Sequence, residues 1–342
     1  MSVTIKDIAE RAGVSFSTVS KALRNSPLVH EKTKAKILAI AKDMGYQPNI
    51  AARRLVSKRS GVIGVVWPSV ERTTLSSLIT LINAELEKSG YATLLSINRA
   101  DSAIETFRRF QVDAILLFSE RAEPQINSAV ARGIPVLCYG NAVRSVFPTL
   151  DINRKKAVRL GVRHLFELGH RSMAYIGRPN VRDPLQEEKA FAFLEELRSL
   201  IGEAASEQTV VTTSGMEFHD GYLAAKALLQ SPDRPTALFG GSYDLTRGIL
   251  RAAAELHIRI PEEVSLVAFD HIPQMDNLEV PVTAVGVDIS TMAATLARKL
   301  LDMIEAGPGG REDDAGSAET VVLEPELVLR ASTAPPASGR GS

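Results

Sequence analysis

The chain has 342 residues, 45% hydrophobic and 23% charged, with 40 Lys and Arg against 40 Asp and Glu. That length allows two or three compact units, and without any run of about 18 apolar residues no membrane-spanning helix is predicted. The single cysteine, Cys138, excludes an internal disulfide. It lies in the apolar run 134–139 and reads as a buried thiol of a reducing cytoplasm. No apolar signal segment opens the chain, which agrees with a cytoplasmic location. The neutral total hides a division. Residues 1–60 carry 12 basic against 4 acidic residues, net +8, leaving 28 against 36, net −8, for residues 61–342. Phosphate contacts dominate nucleic-acid affinity, so a basic head on an acidic body directs DNA to the head.

Thr4-Ile5-Lys6-Asp7 has the Ser/Thr-x-x-acid form of a capping box and predicts a helix from Ile5. Ile5, Ile8, Ala9 and Ala12 recur at helical spacing until Gly13 breaks the run. Ser15 can cap a second helix carrying Val19, Ala22 and Leu23 on one face. Two short helices joined by a glycine turn form a helix-turn-helix, whose second helix enters the major groove. A third helix, from Glu31 to about Met44, stacks Ile37, Ala41 and Met44 and ends at Gly45. Pro48 and Ala51-Ala52-Arg53-Arg54-Leu55 then predict a helix too short to stand alone in water. Leu55 among Arg53, Arg54, Lys58 and Arg59 suits a wedge that pries open a base step in the minor groove. The alternative is a Leu55 packed on the protein's own core.

From residue 61 apolar strands alternate with amphipathic segments. Strands are predicted at 62–67, 92–96, 114–118, 136–139, 173–176, 210–212, 237–239 and 266–269, with last strands in 321–329. Helical segments are predicted at 75–89, 155–168, 185–200, 222–229, 245–256 and 292–304. Nearly continuous apolar strands covered by helices mean parallel sheets, and two such units in series mean two doubly wound lobes. Ligands bind such sheets at the carboxyl ends of their strands. Residues 306–319 form a polar, Gly-rich loop and 334–342 read as a disordered tail.

Thr-Ile-Lys-Asp-Ile-Ala-Glu-Arg-Ala-Gly-Val-Ser (4–15), Ser-Thr-Val-Ser-Lys-Ala-Leu-Arg-Asn (17–25), Gly-Tyr-Gln-Pro-Asn (45–49) and Ala-Arg-Arg-Leu (52–55) resemble the LacI/GalR family of bacterial transcriptional regulators. The resemblance runs from residue 4 to Thr333. It implies an all-α helix-turn-helix domain with a hinge helix, then an α/β core of two doubly wound parallel-sheet lobes like type I periplasmic binding proteins. Residues 1–46 would form the DNA-binding domain, 47–60 the hinge and linker, and 61–333 the effector-binding and dimerisation core. The first lobe would take about 61–161 and 290–319, the second about 162–289 and 320–333. The partners implied are a pseudo-palindromic operator, a second copy of the chain and a small-molecule effector.

By the same resemblance, Phe16, Ser17 and Lys21 face base edges: an aromatic beside a thymine methyl, a hydroxyl that pairs either way, and a donor to guanine. Core packing is the alternative for Phe16. Thr4, Thr18, Ser20, Arg24 and Asn25 are placed for phosphates, while Asn49, Ala52, Arg53 and Leu55 belong to the minor-groove hinge.

The effector residues depart from the family pattern. Its first-lobe loop commonly reads Pro-Asp-x-x-Asn-Pro-Phe-Phe, whereas this chain has Pro68-Ser-Val-Glu-Arg-Thr-Thr74-Leu75, with both aromatics gone. Lys189 replaces a planar arginine fork with a point charge. Ser242-Tyr243 stands where Asn-Asp is usual, with Asp244 one place later. Asp270 matches the family's ligand-binding acid, and Met216 falls near another contact. Thr74, Lys189, Met216, Tyr243 and Asp270 are therefore the candidate effector residues. A sugar or sugar derivative, an anionic metabolite, or no small molecule at all are the readings left open. No zinc-ligand spacing, nucleophile elbow or phosphate loop is present, so no enzyme, cofactor, metal or catalytic residue is expected. A solute-binding protein without a regulatory role is the competing class, and the basic head opposes it.

Overall fold

The computed structural model describes residues 3–23, 26–46, 59–118, 133–140, 147–179, 183–202, 209–307 and 319–337. Two compact units divide the chain, Met1–Ser60 and Gly61–Ser342. Arg24, Asn25, Asn49, Ala52, Arg53 and Leu55 lie outside the described residues, as do 308–318 of the Gly-rich loop.

In the first unit, α1 (Ile5–Ala12), α2 (Phe16–Leu23) and α3 (Glu31–Asp43) follow in order. Thr4 and Asp7 form the reciprocal capping box, and Gly13 ends α1 at φ +69°, a left-handed conformation that glycine adopts without strain. Ser15 Oγ accepts from Thr18 N at 3.2 Å and starts α2. Ile8, Ala12, Val19, Ala22, Ile37 and Ala41 close one small core. The exposed Lys36 donates from Nζ to Ala12 O at 3.0 Å, satisfying an end carbonyl of α1.

The second unit contains two six-stranded sheets. The first comprises β1 (Val62–Val66), β2 (Ala92–Ser96), β3 (Ala114–Phe118), β4 (Val136–Tyr139), β5 (Thr149–Ile152) and β11 (Thr320–Leu323), ordered β11-β5-β4-β3-β1-β2. The second comprises β6 (Met173–Gly177), β7 (Val210–Thr212), β8 (Ala237–Gly240), β9 (Ser265–Phe269), β10 (Thr283–Gly286) and β12 (Glu326–Val328), ordered β12-β10-β9-β8-β6-β7. Every pairing is parallel except β10 with β12. Helices α4 (Thr73–Lys88), α5 (Ala100–Phe110), α6 (Arg154–Glu167), α7 (Pro184–Ile201), α8 (Phe218–Leu229), α9 (Tyr243–Glu255) and α10 (Ile289–Ala306) accompany them. Central strands such as β3 and β9 are buried along their whole length, which is why they read as unbroken apolar runs.

Three differences from the sequence reading carry physical reasons. First, β5, β10 and α5 are elements that the sequence pattern does not mark; β5 carries buried Thr149 and Asp151, which interrupt its apolar run. Second, β11 pairs with β5, so residues 320–323 belong to the first lobe. The last crossing therefore lies at 324–325 rather than near 320. Third, residues 334–337 are not a disordered tail. Ala334 O lies 2.9 Å from both His170 Nε2 and Ser265 Oγ, and Ala334 N donates to Ser265 Oγ at 3.0 Å.

Helices α8 and α9 cross in backbone contact, at Gly221 and Gly248. A Cβ on Gly248 would collide with Phe218 O and Tyr222 N, both backbone atoms that cannot step aside. Gly248→Ala is expected to cost about 1–3 kcal/mol, the usual penalty of overpacking. A lowered urea midpoint with unchanged slope checks this.

Candidate nucleic-acid interface and interlobe cleft

Helix α2 buries Val19 and Ala22 and turns the opposite face outward. Phe16 is 54% exposed, so core packing does not account for it, and Ser17 and Lys21 are exposed beside it. Ser15 Oγ lies 2.9 Å from Ser17 Oγ and 2.8 Å from Thr18 Oγ1, which gathers three hydroxyls at the electropositive start of the helix. Thr18 and Ser20 are half-buried. Thr4 is exposed, but its hydroxyl donates to Asp7 Oδ2 at 2.8 Å and is committed to the cap. The Thr4 backbone N–H holds the Asp7 carboxyl below its ordinary range.

The second constellation stands in the cleft between the two sheets, at the carboxyl ends of their strands. From the first lobe come Thr74 at the start of α4, Phe118 and Tyr139 at the ends of β3 and β4, and Arg154 just past β5. From the second come Gln186 and Lys189 on α7 and Asp270 just past β9. Asp270 sits at φ +94°, a conformation rarely taken by a side chain with a Cβ and a form of strain that clusters at binding sites. Its Oδ2 accepts from Thr74 Oγ1 at 2.9 Å and from Tyr243 N at 3.0 Å. Burial raises its pKa, against the opposing pull of the Lys189 ammonium. Lys189 is 3% exposed, donates to Gly241 O at 2.7 Å and lies 4.3 Å from the centre of the Phe269 ring. Burial brings its pKa down to about 8, although Asp270 works the other way. Arg154 and Asp151 form a buried pair at 2.6 Å. The Tyr139 hydroxyl, raised well above its ordinary pKa by burial, donates to Met292 Sδ at 2.9 Å.

The structure thus brings Thr74, Lys189 and Asp270 together. Tyr243 reaches the group through its backbone N–H, while Met216, though buried, is not among the cleft-lining residues. Sequence reasoning notes Asp244 without choosing it as a candidate and omits Thr73, Arg154 and Gln186. Thr73 N and Oγ1 donate to Asp244 Oδ2 and Oδ1 at 3.0 and 2.7 Å, across the lobes. Gln186 Oε1 lines the cleft, buried and with no hydrogen-bond partner. The legible signal was an acid one place past the family position for Asp244; Arg154 had none, because the strand it follows, β5, is not marked in the sequence.

Residues 4–49 match the family model described as bacterial regulatory proteins, lacI family, and residues 162–333 match the periplasmic binding protein-like domain. The chain is 28% identical to the HTH-type transcriptional regulator AglR of Rhizobium meliloti (strain 1021), covering 98% of this chain and 95% of that protein. It is also 28% identical to the HTH-type transcriptional repressor PurR of Proteus mirabilis (strain HI4320), covering 97% of each. Its fold is like that of the lac repressor dimer bound to operator and the anti-inducer ONPF, with TM-score 0.81 and 22% identity, covering 98% of this chain and 100% of that one.

Lys189 supplies a pH test. Below about pH 8 the ammonium is charged in both folded and unfolded chains, and the full cost of burying it is present. Between about pH 8 and 10.5 the unfolded chain keeps a proton that the folded chain has shed, so stability rises with pH. The stability of Lys189→Met relative to the parent is expected to fall across that window, by up to about 3 kcal/mol. Urea melts of both proteins at pH 7 and pH 10 measure it.

Proposed function

The chain belongs to the lacI family of bacterial regulatory proteins, and we propose that it is a sequence-specific DNA-binding transcriptional repressor acting in the cytoplasm as a homodimer. Residues 1–46 read a palindromic operator, 47–60 form the hinge, and 61–333 hold the effector between two lobes and mediate dimerisation. The observation that carries this reading is the outer face of α2. A large aromatic at 54% exposure stands there beside the Ser15–Ser17–Thr18 hydroxyl cluster and Lys21, on a head with net charge +8. An exposed aromatic on a short, capped, well-packed helix has no structural purpose in water, and a thymine methyl gives it one. Ser17 and Lys21 supply hydrogen bonds to base edges. Thr18 and Ser20 lie at the flank for phosphates, with Arg24 and Asn25 as further phosphate contacts, while Thr4 serves there only by capping α1.

Dimerisation is supported by Leu95 and Ile97, exposed apolar residues on or just past the edge strand β2. An exposed apolar edge is a template for pairing with another chain. The effector class favoured is a sugar or sugar derivative. Asp270, Gln186 and Arg154 provide acceptors and donors for hydroxyls, and Phe118, Tyr139 and Phe269 provide aromatic faces. No helix among the described residues is long and apolar enough to cross a membrane, and the reading assigns no catalytic residue.

Selection of random duplexes by the full-length protein, followed by sequencing, tests the proposal. A palindrome with a flexible pyrimidine–purine step at its centre is the expected result; failure to enrich any sequence, in buffer and in cell extract alike, overturns it. On that operator Lys21→Ala is expected to lose about 1–3 kcal/mol and to relax base preference at one position of each half-site. Unchanged preference removes Lys21 from the reading set. Leu55→Ala is expected to reduce operator bending and to weaken specific binding while leaving nonspecific binding nearly intact, read by gel mobility and competition. Retained specific affinity would return Leu55 to the protein's own packing.

A further inference from the structure

Four hydrogen bonds cross the cleft at one face of α4. Thr73 grips both oxygens of Asp244, Thr74 Oγ1 donates to Asp270, and Gln274 Nε2 donates to Ser77 Oγ at 3.0 Å. Arg72, the N-cap of α4, makes no side-chain capping bond. The first N–H groups of a helix have no acceptor within it, and its start carries partial positive charge. Asp244 of the other lobe fills that place. It also lies in the first turn of α9, so the starts of two helices hold one carboxylate. The space left between the lobes is about 70 Å³, well below the roughly 300–1,000 Å³ of ordinary small-molecule pockets. Among the residues that make the ties, Thr74 and Asp244 stand where the sequence leaves the family's usual pattern, whereas Asp270 keeps it.

We propose that the core is latched shut by its own carboxylates, so that the effector-free form is closed and an effector acts by displacing Asp244 and Asp270 from α4. The inference rests on the reading of the cleft as an effector site and deepens it. A molecule that enters must separate the lobes and offer α4 an oxygen acceptor in place of Asp244. Hydroxyl, carboxylate and phosphate oxygens all meet that demand, whereas an apolar ligand does not.

The Thr73 amide reports on the latch directly, because Thr73 is the first residue of α4 and no carbonyl of the helix can protect it. Residue-resolved hydrogen exchange is measured on the full-length protein without any small molecule. Exchange at Thr73 is expected to be at least tenfold slower than in an unstructured chain. Asp244→Ala is expected to accelerate it at least tenfold while leaving Ile82, in the helix interior, unchanged. Thr74→Val keeps Asp244 and removes the Asp270 tie, and is expected to accelerate Thr73 at least threefold. If Asp244→Ala disturbs Ile82 as well, Thr74→Val decides the matter. Thr73 exchanging at the unstructured rate in the parent protein, or unaltered by Thr74→Val, overturns the latch. Operator binding assayed on the same samples separates the two ideas: a protected Thr73 without operator binding keeps the latch and removes the regulatory reading.

Discussion

The chain passes between the two sheets of the core three times, after β5, after β10 and between β11 and β12, and the rest of the core depends on that threading. The first and third passages are tied to each other. Asn153 N donates to Leu323 O at 3.0 Å, Asn153 Nδ2 to Glu324 Oε1 at 3.3 Å, and Lys156 pairs with Glu324 at 2.6 Å. Neither lobe can therefore slide far past its neighbour; what remains is rotation about the crossings, the hinge motion of clefts built between two lobes. Because the strands within each sheet are almost all parallel, their carboxyl ends collect at the cleft, and the loops that follow them supply its polar groups.

The polar groups collected there are satisfied mostly by one another, in a space of about 70 Å³. Burial shifts Lys189 and Asp270 in opposite senses, each toward its neutral form. Both are held by local bonds, to Gly241 O and to the Tyr243 N–H. A family position that commonly carries an arginine fork for the ligand is thus occupied by a lysine turned to the protein's own turn at 240–242. Replacing two aromatics by Thr74 and Leu75 gives α4 a hydroxyl aimed at Asp270 instead of a ring. Two of the departures fit one another: Lys189 and Thr74 each place a polar group that is satisfied inside the protein.

The head was legible in the sequence because its signals are local. The Thr4–Asp7 box, the Gly13 stop and the Val19–Ala22 spacing each operate within four residues, and the structure realises all of them. Most strands of the core were legible for a related reason, since strands buried on both faces are continuous apolar words. Strand β5 was not, because buried Thr149 and Asp151 break its run, and Asp151 makes sense only against Arg154. Cleft residues are the least legible. Thr73 and Asp244 meet across 171 residues of sequence, and nothing local to either announces the other. The anchoring of Ala334 by His170 and Ser265 is equally nonlocal, and composition alone reads that stretch as a tail.

The size of the latch sets what an effector must accomplish. A hydrogen bond to a charged group contributes about 1.5–3 kcal/mol and a neutral one about 0.5–1.5 kcal/mol. Side-chain ordering offsets part of this, so ties from Thr73, Thr74 and Ser77 together amount to about 3–6 kcal/mol. A ligand shifts an equilibrium only by its difference in affinity for the two states. To open the core it must therefore bind the open form about two to four powers of ten more tightly than the closed one. A small metabolite reaches that range by replacing the carboxylate oxygens on α4 and by filling the opened aromatic and amide wall at once. One that merely occupies the present 70 Å³ gains nothing from the difference and leaves the regulator where it was.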